Sequence, residues 1–253
     1  MPPRRRPQLP ALALVLALLT GCSGGDGERQ AGDAVTAAEA DVLAQLLARN
    51  QEEGGADVVV TAPYGEDTVL TLTGEVDFTG EVGRAQAVTA YGDGRPDDTR
   101  TLFFTPEAVW FGDVPGLGAA LTAAGLPEAP YVRRPLATGE ESPLTDVLVR
   151  LVLNLSAEEA DDPGAFRGED YTWQGERSVD GDLTAVYASD SGWSVAVDSS
   201  SDLLVQFLTR LPGQDHDVTV TLSDHGPRQI EVPVAEQTVD AAAHPEITET
   251  IGL

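Results

Sequence analysis

Over residues 68–78 the chain alternates. Leu70, Leu72, Val76 and Phe78 fall on one side of a period of two, and Thr71, Thr73, Glu75 and Asp77 on the other. A segment with that period is a strand with one face in a core and the other in water. Gly74 interrupts it and marks a bend or bulge. Shorter strand-like runs lie close by, at residues 57–61, 84–91, 100–105 and 108–111. The gaps between them are too short for helical crossovers, so these strands pair antiparallel. Pro106-Glu107 turns a hairpin, and residues 92–98 form a turn or loop.

Helical spacing replaces alternation elsewhere. Residues 33–53 carry Val35, Val42, Leu43, Leu46 and Leu47 on one face. Asp33 is the expected N-cap, and Gly54-Gly55 stop the helix. Residues 115–126 form a second helix through Leu117, Leu121 and Ala124. Residues 127–141, with three prolines, read as an irregular loop. Ser142-Pro143 starts a third helix with proline at its first position. Its stripe is Leu144, Val147, Leu148, Leu151, Val152 and Leu155, with Asp146 and Arg150 on the other side. The acidic run 158–162 reads as a solvated loop. Strands return at 171–174, 183–188, 193–198, 203–210 and 217–224, and Asp180-Gly181 turns a hairpin. Strands on both sides of a helical middle predict one α+β domain, a curved antiparallel half-barrel sheet covering helices.

The first residues are of another kind. Arg4, Arg5 and Arg6 precede an apolar run over 9–19 that only Pro10 breaks. A membrane span needs roughly 20 apolar residues, so the run is the core of a secretory signal peptide. Cys22 is the one cysteine, so no internal disulfide forms and folding rests on the apolar core. Leu19-Thr20-Gly21-Cys22 resembles a bacterial lipobox, in which the cysteine is lipidated and becomes the new N-terminus. The expected organisation is a signal peptide over 1–21, a flexible tether over 22–32 and one domain over 33–253.

Charge removes several function classes. The net charge is −27, and every acidic residue follows position 21. Such a surface repels nucleic acid and anionic lipid head groups, so the expected membrane contact is the lipid on Cys22 alone. No catalytic, cofactor-binding or metal-binding constellation stands out. His216, His225 and His244 read as surface or turn residues beside occasional aspartates. Asp97-Asp98, Asp161-Asp162 and Asp180-Gly181-Asp182 lack the spacing of a calcium loop. Ser191 beside Asp190 has no evident base, and no Gly-x-Ser-x-Gly elbow occurs. Trp110 and Trp193 read as sheet or core aromatics.

Three stretches carry a family resemblance. A helix runs into Gly55-to-Thr61 and then Gly74-Glu75-Val76-Asp77-Phe78. Trp193-Ser194-Val195-Ala196-Val197-Asp198 forms a late strand. Val218 to Leu222, Ser223-Asp224-His225-Gly226 and Ile230-Glu231-Val232-Pro233 close the domain. Together, over about residues 34 to 235, these resemble the LolA-like fold and within it the actinobacterial LppX/LprG group of lipoproteins. The resemblance implies a half-barrel around an apolar cavity, and binding or carriage of a lipid or glycolipid without catalysis. The candidate cavity residues are Leu70, Leu72, Val76, Phe78, Val218, Val220 and Leu222 of the sheet. Leu117, Leu121, Leu144, Leu148 and Leu151 are those of the helices. The alternative is an interaction or signalling module whose inner face is filled. Periodicity does not separate a lined cavity from a packed core.

Overall fold

The computed structural model describes residues 29–252, apart from 66, 140, 169 and 212–215. The signal peptide and Cys22 lie outside the described residues. The chain opens with a two-residue strand β1 (Asp33–Ala34) and helix α1 (Ala37–Glu53). A meander follows: β2 (Gly55–Tyr64), β3 (Thr68–Asp77), β4 (Val82–Tyr91), β5 (Asp98–Phe104) and β6 (Ala108–Gly112). Next come α2 (Leu117–Ala124), β7 (Tyr131–Pro135) and α3 (Leu144–Leu153). The second meander is β8 (Tyr171–Val179), β9 (Asp182–Ser189), β10 (Ser194–Asp198), β11 (Leu204–Arg210) and β12 (Asp217–Ser223). The chain closes with β13 (Thr238–Asp240) and α4 (Pro245–Ile251).

All strands among the described residues join one sheet in the order β1-β8-β9-β10-β11-β12-β2-β3-β4-β5-β6-β7-β13. β12 lies against β2, so the two meanders become one surface with α1 and α3 on its inner side. Register aligns the inward-facing residues into rows. One runs Tyr187, Val195, Phe207, Val220, Val60, Leu72, Ala87. Another runs Leu222, Val58, Gly74, Ala85, Leu102, Phe111, Val132, Val239. The sheet has two ends, β1 and β13, and is an open half-barrel, the α+β architecture expected from the alternation of elements. Trp110 lies on the other face, in register with Phe103 and Arg133, with the Arg133 guanidinium 5.5 Å from its ring centre.

Several local expectations change. The N-cap of α1 is Thr36, not Asp33. Thr36 Oγ1 accepts from Glu39 N at 3.3 Å, and Thr36 N donates to Glu39 Oε2 at 2.8 Å. That reciprocal capping box satisfies two groups at once, whereas Asp33 is drawn into β1 opposite Trp173. Gly54 ends the helix with φ 88°, in the left-handed region where glycine carries no penalty. Gly74 makes no bulge. It stays in register between Val58 and Ala85, and a Cβ there would lie 2.0 Å from Arg84 O, so the β4 backbone fills the space. Residues 127–141 hold strand β7, with Pro135 as its last residue. Pro143 is the N-cap of α3 rather than its first helical residue. One pairing, β7 with β13, is parallel, because the chain returns to that edge only after the whole second meander.

Asp146 does not face solvent. It is fully buried and takes a bidentate pair from Arg134 of β7, both contacts at 2.6 Å, plus Ala137 N at 2.7 Å. The pair fixes α3 against the β7 side of the sheet. A carboxylate so placed requires its partner, since an uncompensated buried charge is strongly destabilising.

The other edge is fastened by Glu39. Arg29 pairs with it, one contact being Arg29 Nη2 to Glu39 Oε2 at 2.7 Å. Arg29 also lies 4.6 Å over the Trp173 ring, and Gly32 N donates to Trp173 O at 2.8 Å. Tyr187 OH donates to Glu39 Oε1 at 3.2 Å. Partial burial disfavours the Glu39 carboxylate. Hydrogen bonds from Arg29 and Thr36 outweigh it and hold the group down at about 2. Burial, then the neighbouring Glu39 charge, pushes the Tyr187 hydroxyl up. A carboxylate depressed on folding contributes stability above its unfolded value, which is lost as pH falls toward the folded one. Glu39→Gln should therefore lower stability by about 1–2 kcal/mol at neutral pH, the pair being partly solvent-screened. The gap to wild type in urea unfolding should narrow as pH falls from 4.5 toward 2. A gap independent of pH would show that the Glu39 charge contributes nothing.

Candidate ligand cavity

The helices do not cover the whole inner face. Where α1, the end of α3 and strands β8, β10 and β11 meet, a cavity of about 400 Å³ remains. Leu43, Leu46 and Leu47 of α1 form one wall, and Leu151 of α3 and Leu155 just beyond it continue that wall. Val195 and Leu204 form the floor. Phe166, Tyr171, Trp193 and Phe207 form the opposite wall as a chain of tilted rings, with centroids 5.1, 5.5 and 6.3 Å apart in turn. Such spacings fall in the range of favourable aromatic pairs.

The sheet register explains the wall. Phe207 and Val195 belong to the inner row that includes Val220 and Val60. Ser189 N donates to Trp193 O at 2.9 Å, which closes the β9–β10 turn and sets Trp193 beside Tyr171. Phe166 comes from a one-turn 3-10 helix (Pro163–Phe166) that Asp162 caps through Gly164 N at 2.8 Å.

The lip is the segment after α3. Ala157 N donates to Leu47 O at 3.1 Å and Asp161 N to Ala44 O at 2.8 Å, so it is strapped to α1. Asn50 Nδ2 donates to Leu155 O at 2.7 Å from a fully buried position, while its Oδ1 has no protein partner. The polar residues lining the cavity are Asn154 and Asp161, both exposed.

Of the residues predicted from alternation and helical stripes, Leu151 lines this cavity. Leu72, Val76, Phe78, Leu121, Leu148, Val218 and Val220 lie in the packed core, and Leu222, also buried there, borders a polar hollow of about 240 Å³ with Asp198 and His225. Leu70 is buried at a second hollow of about 280 Å³, with Arg100 and Arg134 on its border. Leu117 is buried beside a shallow hollow with Val114 and Ala129. Leu144 is half-buried against the core. The residues that alternation did not select are the aromatic wall and the α1 leucines. Aromatic content does not single them out, since the first meander carries Phe103, Phe104, Trp110 and Phe111 of its own.

The polar features read as structural. Ser200 and Ser201 hydroxyls both donate to Asp198 Oδ1, at 2.6 and 2.9 Å. With the amides of the same serines they hold the Asp198 carboxyl down at about 2 and close the β10–β11 turn. Burial pushes the nearby His225 down. Among the described residues no group of three or more His, Cys, Asp or Glu is placed to hold a metal ion. No described helix is long and apolar enough to cross a membrane.

No protein-family model matches the chain, and no curated protein is similar to it. Among solved structures it is similar to LprF from Mycobacterium bovis. The identity is 14% and the TM-score 0.45, over 78% of this chain and 98% of that one. It is also similar to an uncharacterised conserved protein from Thermus thermophilus, at 10% identity and a TM-score of 0.37, over 79% of this chain and 97% of that one.

Packed core and cavity wall should respond differently to truncation. Leu148→Ala, at a fully buried site, should cost about 2–5 kcal/mol in urea unfolding. Leu151→Ala, whose side chain already borders open space, should cost about 1–2 kcal/mol. Equal losses would mean that the space beside Leu151 is filled.

Proposed function

We propose that this protein is a lipid-anchored envelope lipoprotein that binds a lipid or glycolipid in the α1–β11 cavity. The observation that carries the reading is the cavity itself. Its volume of about 400 Å³ falls in the range of small-molecule sites, and its walls are leucine and aromatic. In this reading residues 1–21 are a signal peptide and Cys22 carries the acyl chains at the extracytoplasmic face of the cell membrane. Residues 33–253 form the lipid-binding domain. The function is binding, extending to carriage, and involves no catalysis.

Solid packing of the β3 and β12 inner faces favours a second reading, a protein-interaction module. One experiment separates the two. Protein extracted from host membranes is analysed by native and then denaturing mass spectrometry. The proposal expects two added masses: a diacylglyceryl-sized adduct on Cys22 that survives denaturation, and a lipid that is lost with it. An unmodified Cys22 contradicts the anchor. A captured protein with no dissociable lipid contradicts the cavity function.

A further inference from the structure

The cavity's size and lip say which lipid it takes. We infer that it holds a single alkyl chain bearing a cationic head, and that it discriminates against anionic heads. This rests on the lipid-binding reading above and adds to it the class of ligand.

Size sets the chain number. A methylene occupies about the volume of a liquid water molecule, roughly 30 Å³. A cavity of about 400 Å³ then accommodates one chain of about a dozen carbons and not two.

Charge at the mouth sets the head. Asp161 lines the cavity at the exposed lip, and Glu158 and Glu159 are exposed in the same short segment. The bonds of Ala157 N and Asp161 N to α1 carbonyls hold this segment against α1, with Asp161 at the lip. Two arginines near the lining residues in sequence are paired with carboxylates. Arg49 of α1 pairs with Asp202 at 3.1 Å, and Arg167 with Asp41 at 3.3 Å. The cavity lining contains no arginine among the described residues. Arg100 and Arg134 border the other hollow, held by Asp98 and Asp146. A phosphate or carboxylate head at this lip would meet Asp161 with no arginine in the lining to offset it, whereas a quaternary or primary amine would meet its complement. The half-buried rings of Tyr171 and Trp193 add faces that attract cations.

The test uses the mature protein and three dodecyl probes below their micellar concentrations: trimethylammonium, maltoside and sulfate. Isothermal titration calorimetry at about 0.15 M salt should give one molecule of trimethylammonium probe per chain. It should bind about tenfold more tightly than the sulfate, with the maltoside between. In Glu158→Gln/Glu159→Gln/Asp161→Asn that ratio should fall toward one. Leu46→Trp, and independently Leu151→Trp, should abolish binding of all three probes in whichever variant retains cooperative unfolding. Equal affinities, or tighter sulfate, with binding lost in the tryptophan variants would overturn the head selectivity and leave lipid binding standing. Two alkyl probes per cavity would overturn the single-chain inference. Binding of none of the probes, or binding that survives both tryptophan variants, would overturn the lipid-binding reading.

Discussion

An open half-barrel has more inner surface than its four helices cover. In a closed barrel the side chains would meet across the axis; here the helices must do that work, Leu121 of α2 and Ile247 of α4 joining Leu43 of α1 and Leu148 of α3 in one core. They do it over β2 to β6, where Leu72, Leu102 and Phe104 are fully buried, as is Leu148 of α3. They fail toward β8, β10 and β11, and the shortfall is the cavity. The aromatic wall follows from the same shortage. Large rigid rings keep that end of the sheet half-covered where aliphatic residues would leave it open to water.

The two ends of the sheet are protected by different means. β13 is a three-residue strand tied to β7, and the Arg134–Asp146 pair secures α3 beside the same edge. β1 is shorter still and is held through Arg29, Glu39, Trp173 and Tyr187. Short, tethered edges resist pairing with other chains. The first edge bears on function as well. Arg29 is pinned to β8, the strand that contributes Tyr171 to the cavity. An anchor at Cys22 would therefore leave at most about 25 Å of extended chain between the membrane and that edge.

Much of the fold is legible in the sequence because its dominant signal is local. The period of two at residues 68–78 and 217–224, the Asp180-Gly181 turn and the leucine stripes of α1 and α3 each name an element without tertiary context. The misses share a cause: they depend on partners distant in sequence. β7 lies in a proline-rich stretch and becomes a strand because β6 and later β13 supply hydrogen bonds. Asp146 reads as a surface residue until Arg134 is brought against it. Thr36 is the exception, since the Thr-x-x-Glu spacing alone marks it as a cap, but Asp33 matches the start of the apolar stripe and masks it. The cavity is less legible than the fold. Alternation marks Leu72 and Val220 as inward in the same way as Phe207, and only the placement of α1 decides which of them packs and which lines space.

The central claim is that an apolar chain occupies the space between α1 and the aromatic wall. Crystals grown with an alkyl amphiphile brominated at its terminal carbon test it directly through the anomalous signal of bromine. The account predicts a bromine peak between Leu46 and Phe207, with the polar head leaving past Asn154 and Asp161. A peak confined to the hollow beside Arg100 and Arg134, or full occupancy of the α1–β11 space by protein side chains, would contradict it.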